Sequence, residues 1–186
     1  MEKHDLPTER MDVDAFEAWL EHDAPPGRYE LFEGGVVQMA AERMRHSRAE
    51  TAALFALTAA ARDLPCEAIN DGMAVRIGRF TRREPDVALR CGDPLSGDAT
   101  HYDDPTVLIE VTSPATATVD VTTKLIDYVR LPSLHHYLIV DTVQRKIIHQ
   151  RRTAEGYATT ILPGGALELD PPGLTLDLDA ILAVLD

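Results

Sequence analysis

Hydrophobic and polar positions along this chain follow a helical period in four places and a strand period in most of the rest. A helix is expected over Val13–His22, with Phe16, Trp19 and Leu20 on one face and Asp12 placed to cap it. Pro25-Pro26-Gly27 ends it. Tyr29–Phe32 and Val36–Met39 flank Glu33-Gly34-Gly35 and read as a hairpin. Met44–Asp63 is rich in Ala and Leu and gives the longest helical pattern. Strands are expected at Cys66–Asn70, Met73–Ile77 and Asp86–Leu89, then a loop over Cys91–Pro105. Thr106–Thr112 is apolar on both faces, as in a strand covered on both sides, and Ser113-Pro114 stops it. A helix over Val119–Arg130 follows. His136–Asp141, Lys146–Arg151 and Tyr157–Leu162 complete the strands, and Leu174–Leu185 reads as a short terminal helix.

One position breaks this pattern. In Val107-Leu108-Ile109-Glu110-Val111-Thr112-Ser113 a carboxylate sits in the middle of a core strand. Burying an ionised carboxylate costs several kcal/mol unless it is paired, hydrogen-bonded or bound to a cation. Glu110 therefore calls for a partner: a buried arginine, a metal ion, or an incompletely covered face.

The length of 186 residues suits one α+β domain, with residues 1–27 as an N-terminal segment and 28–186 as the domain proper. No apolar run is long enough to span a membrane, and Met1–Arg10 is charged, so neither membrane insertion nor secretion is expected. Cys66 and Cys91 lack metal-ligand spacing and do not suggest a disulfide framework, which points to a reducing cytoplasm. The net charge of −13 argues at first against nucleic acid. Its distribution softens that. Residues 1–40 carry ten acids and three bases, and residues 153–186 carry six acids and no base. The middle is neutral. It holds Arg76, Arg79, Arg82 and Arg83 in one group and Arg43, Arg45 and Arg48 in another, either able to meet phosphates or simply to be solvated.

Three residues line up as candidate chemistry. Asp86 follows Pro85, which marks a strand start, so Asp86 is expected at the sheet's edge facing a cleft or water. If its strand neighbours that of Glu110, the two carboxylates and a backbone carbonyl make an oxygen site suited to Mg²⁺ or Mn²⁺. Lys124 lies on the margin of the apolar face of the following helix. It can emerge over Glu110 and polarise a water, or stay at the surface paired with Asp120. Glu30, between Tyr29 and Leu31, can reach the same place, and His46 can approach it from the start of the long helix. No phosphate-binding glycine loop, zinc motif or nucleophile elbow is present.

The ordered set YELFEGG, a helix opening with His46, EPDVAL, VLIEVTSPAT, DVTTKLIDY and HHYLIVD resembles the restriction endonucleases of the Uma2 family, within the PD-(D/E)XK nuclease superfamily. The resemblance spans roughly residues 28–152. It implies a restriction-endonuclease-like α/β (α+β) fold, a mixed β-sheet flanked by helices. It also implies Mg²⁺- or Mn²⁺-dependent phosphodiester hydrolysis. Carried over by position, Asp86 and Glu110 would ligate the metal, Val111 would lend its carbonyl, and Glu30 would be the additional acid. The superfamily lysine two residues after the glutamate is Thr112 here, and its role would pass to Lys124. The glutamine that often follows the helix histidine is Ser47 here.

Three functions remain open on this reading: a DNA endonuclease, expected as a homodimer so that both strands of a duplex are cut; the same metal site acting on RNA or a nucleotide; and a catalytically inactive nuclease-fold module for binding or assembly, which the acidic ends favour.

Overall fold

The computed structural model describes residues 6–112 and 119–185, with the backbone alone for 119–122. Helix α1 (Val13–His22) is capped as expected, the Asp12 side chain accepting the Ala15 N–H. Strands β1 (Tyr29–Phe32) and β2 (Gly35–Gln38) form the hairpin, with Glu33 and Gly34 at positive φ, as a two-residue turn of this kind requires. Helix α2 (Met44–Ala60) follows, then β3 (Cys66–Asn70), β4 (Ala74–Arg76), β5 (Arg82–Arg83), β6 (Val87–Cys91) and β7 (His101–Tyr102). Strand β8 (Pro105–Thr112) leads through α3 (Val119–Tyr128) to β9 (His136–Asp141), β10 (Lys146–Thr153) and β11 (Gly156–Leu162). The chain closes with β12 (Ala166–Leu169), β13 (Leu174–Asp177), α4 (Leu178–Leu182) and a 3-10 turn over Ala183–Leu185. The expected strand stop at Ser113-Pro114 lies outside the described residues.

A mixed six-stranded sheet, β11-β10-β9-β8-β6-β3, forms the centre. Within it only β8 and β9 run parallel, so the chain between them must cross over, and α3 is that crossover. A second sheet, β2-β1-β5-β4-β7, carries the first hairpin, and β12-β13 is a separate ribbon. On one face of the central sheet Val107, Ile109, Val111, Leu138 and Val140 pack against Ala49, Ala53 and Leu57 of α2 and against α4. On the other, Leu108 and Ile139 pack with Tyr128 and Tyr137, whose rings meet edge to face at 5.3 Å. Near the start of the chain Val13 and Phe16 pack on Tyr29 and Leu31 of β1.

Three expectations are corrected. Leu174–Leu185 is not all helix: its first four residues pair with β12, because alternating Leu174 and Leu176 bury on one side while Thr175 and Asp177 face out. The Cys91–Pro105 loop contains β7, which pairs with β4. Cys66 and Cys91 are joined in a disulfide. They stand opposite each other in the antiparallel β3–β6 pair, a register the sequence does not display. The cysteines therefore give no argument for a reducing compartment.

Candidate active site

Strand alternation places Glu110. Its neighbours Ile109 and Val111 face α2, so Glu110 shares the face of Leu108 and points toward α3. The β6–β8 ladder pairs Val87 with Ile109, and one step further sets Asp86 opposite Glu110. Asp86 is not at the sheet's edge, because β6 lies between β3 and β8, and its side chain is buried. One carboxylate oxygen, Oδ2, accepts the Val111 N–H at 2.5 Å, and Oδ1 lies 3.2 Å from His46 Nε2 at the start of α2.

Lys124 is not at the surface. Only 7% of it is exposed, and its Nζ donates to both Glu110 oxygens at 3.1 and 3.0 Å. It also lies 3.3 Å from Glu30 Oε1. Tyr128, one helical turn on and on the same side of α3, donates its hydroxyl to Glu110 Oε1 at 2.7 Å. Burial pushes Glu110 up, Lys124 opposes this, and nearby Asp86 and Glu30 add to it, leaving the carboxyl at about 7. Burial alone would lower Lys124, but the surrounding carboxylates outweigh it and hold the ammonium above its ordinary value. The proton of the pair resides on the lysine. Thr112, two residues after Glu110, donates its hydroxyl to the Val140 carbonyl.

Behind Lys124 lies a second buried layer. Arg83 Nη1 meets Glu30 Oε2 at 2.8 Å, and its Nε and Nη2 meet Asp127 Oδ2 at 2.9 and 2.7 Å. Its guanidinium also stacks over Phe32, 4.6 Å from the ring centre. Glu30 Oε1 accepts the Glu84 N–H. Burial would raise Glu30, but Lys124 and Arg83 hold it below its ordinary range. Glu30 is thus fully engaged from the first hairpin.

In front of Asp86 is a more open acidic group. Ligand atoms of Glu42, His46 and Asp86 lie within 4.8 Å of one another, as do those of Glu42, Glu50 and Asp71. Arg28 offsets part of this charge, with Nη1 on Glu42 at 2.9 Å and on Asp71 at 2.6 Å. Burial and the neighbouring Asp71, Asp86 and Glu42 push Glu50 up to about 7. Burial would lower His46, but Asp86, Glu42 and Glu50 raise it.

The structure therefore brings Asp86, Glu110, Lys124, Glu30, Val111 and His46 into one region, and adds Tyr128, Arg83, Asp127, Glu42, Glu50 and Asp71, which sequence reasoning missed. Tyr128 and Asp127 had a usable signal, since helical spacing from Lys124 places them beside it. Glu42, Glu50 and Asp71 had none, because they converge from separate elements. Of the arginines read as possible phosphate contacts, Arg76, Arg79, Arg82 and Arg83 are instead paired with carboxylates.

Residues 13–183 match the Uma2 family, described as "Putative restriction endonuclease". The crystal structure of a "putative nuclease belonging to DUF820" from Anabaena variabilis ATCC 29413 superposes with a TM-score of 0.76. The two share 16% identity, and the match covers 95% of this chain and 99% of that one, which shows a common fold. No curated protein matches the chain.

Proposed function

The chain belongs to the Uma2 family of restriction-endonuclease relatives, and we propose that it is a divalent-metal-dependent endonuclease hydrolysing phosphodiester bonds in DNA. The observation that carries this reading is the amine of Lys124, brought by α3 to 3.0 Å from Glu110 Oε2, with Asp86 next in register. That is the acid, acid and lysine set of the superfamily with the lysine delivered from a helix.

The donor set suits a hard divalent cation. Asp86 and Glu110 would hold it, with the Val111 carbonyl beside them, and His46 and Glu42 border the same carboxylate of Asp86. Two or more carboxylates with one imidazole fit Mn²⁺ and Mg²⁺. A bound ion would supply Lewis-acid stabilisation of phosphate charge and a more acidic water. The chain's own residues do the rest. Lys124 stays charged between Glu110 and Glu30 and offers N–H donors to a water or a phosphate oxygen. Glu30, anchored by Arg83 and the Glu84 N–H, keeps that amine in place. Tyr128 fixes the Glu110 carboxylate.

The test is Mn²⁺ binding by calorimetry in the parent, Asp86→Ala and Glu110→Ala, with plasmid cleavage by Lys124→Ala. Binding should vanish in both acid variants and cleavage should fall at least about 100-fold in the lysine variant. Glu50, pushed up to about 7 beside Asp86, adds its negative charge to the cleft as it deprotonates, so Mn²⁺ affinity should rise from about pH 6 to about pH 8. Cleavage by Lys124→Ala at the parent rate would refute its role. A second reading, the inactive module, is favoured by the internal satisfaction of Glu110 by Lys124 and Tyr128. A parent that binds no Mn²⁺ even with a short duplex present would support it.

A further inference from the structure

The six-stranded sheet ends in β3 on one side and β11 on the other. An unpaired strand edge invites pairing with another chain, and folded proteins guard against it with short strands, charges, proline or bulges. The other edge strands of the two larger sheets follow that rule. β7 has two residues, β2 has four, and β3 has five with Glu67 among them. Strand β11 does not follow it. It runs for seven residues, Gly156-Tyr157-Ala158-Thr159-Thr160-Ile161-Leu162, with no charge and no proline, in a chain that is 26% charged. Its register with β10 is unbroken. Ala158, Thr159, Thr160 and Ile161 are all exposed, Ile161 by 60%.

The ladder fixes which main-chain groups this edge presents. The Arg152 N–H donates to the His135 carbonyl, so the main-chain groups of Arg152 face β9 rather than β11. Arg152 stands opposite Tyr157, and bonded and non-bonded pairs alternate along an antiparallel ladder. The N–H and C=O groups of Tyr157, Thr159 and Ile161 therefore point out of the sheet, and among the described residues no hydrogen bond within the chain takes them up. We propose that this edge pairs antiparallel with β11 of a second copy, about a two-fold axis at Thr159. That register satisfies every outward group, with Tyr157 bonded to Ile161 of the second copy, Ile161 to its Tyr157, and Thr159 to its Thr159. It also sets an aromatic ring against a β-branched side chain twice and threonine against threonine, both favoured cross-strand pairs. Charge agrees with it. Two copies of net charge −13 repel, so they meet best where neither carries charge. Glu155, the nearest acid in sequence, would lie across from Pro163 and not from another acid. Each copy offers one such edge, so the assembly closes at two. Six hydrogen bonds correspond to roughly 600–1,200 Å² of interface, the size of a transient pair, and association in the micromolar range is expected. The contact does not depend on nuclease activity.

The test is sedimentation velocity on the full chain across the micromolar range. The parent should pass from monomer to dimer as concentration rises. Thr159→Lys and Thr159→Glu should each weaken association at least about tenfold, since like charges then face each other across the axis. An equal mixture of the two should restore it. Phe55→Ser removes a large exposed apolar side chain from α2 and should associate like the parent. Thermal midpoints check that each variant is folded. Amide exchange gives a second readout. The N–H groups of Tyr157, Thr159 and Ile161 should gain protection as concentration rises, while those of Ala158, Thr160 and Leu162, bonded to β10, stay protected throughout. A parent that stays monomeric up to near-millimolar concentration, a dimer indifferent to charge at position 159, or a mixture that fails to restore association overturns the edge contact. Association lost in Phe55→Ser and kept in both charged variants overturns it as well, by moving the contact to α2.

Discussion

Arg83→Met tests the buried layer behind Lys124. The native guanidinium makes one hydrogen bond to Glu30 and two to Asp127, all between 2.7 and 2.9 Å, and all three side chains are buried. Methionine fills similar volume and keeps contact with Phe32. Among the described residues it leaves Asp127 with the distant Arg130, at 4.0 Å, and Glu30 with Lys124 and the Glu84 N–H. Removing one partner of a buried charge pair costs about 3–5 kcal/mol, because the remaining charge stays desolvated. Glu30 keeps two partners here, so the lower half of that range applies, about 3–4 kcal/mol. For a chain of this size that is a fall in thermal midpoint of about 10 °C. Urea denaturation of the parent, Arg83→Met, Asp127→Leu and the double variant forms a cycle. The double variant should recover at least half of the loss, since it removes the stranded carboxylate together with its partner. A single-variant cost below about 1 kcal/mol, or a double variant no more stable than Arg83→Met, would refute the layer's role.

Tyr128→Phe keeps the edge-to-face contact with Tyr137 and deletes the hydroxyl on Glu110. It should cost about 1.5–3 kcal/mol in urea denaturation, and a loss under about 0.5 would show that bond to be unimportant. The buried pair of His136 and His149, with Nδ1 of the first 2.9 Å from Nε2 of the second, sets a pH dependence. Burial, then His136 and Arg151, push His149 down to about 4. The unfolded chain takes up that proton near pH ~6.5, so stability is full above that value and is lost as pH falls toward ~4. The loss should be about 3 kcal/mol. His149→Gln should remove it, and equal acid sensitivity in the two proteins would contradict this account.

Element types were legible where one period dominated. The limits of α1 and β9 coincide with the expected ones, since Asp12 caps the first and the second is a short apolar run ended by Asp141. Glu110 was legible because an acid inside VLIEVTS violates the local pattern, and Asp86 because Pro85 marks a strand start. What could not be read was pairing across distance. The opposition of Cys66 and Cys91, the grip of Arg83 on Asp127 and the convergence of Glu42 with Asp71 depend on register and on contacts between sheets, and side-chain type alone does not encode those. Arg82 and Arg83 looked like surface charge for the same reason. Their burial follows from β5 lying between β1 and β4.

Lys124 touches Glu110 of the central sheet and Glu30 of the other sheet, from a helix that belongs to neither. Seen in folding time, this clasp closes late. Both carboxylates need their strands paired, the crossover helix must be laid down between β8 and β9, and these are distant contacts that form slowly. A partly folded chain would expose Glu30, Asp86 and Glu110 as separate hydrated acids with no lysine among them. Lys124 therefore couples assembly of the cleft to completion of the fold, and a chain truncated before α3 would hold every strand of the five-stranded sheet but not the site.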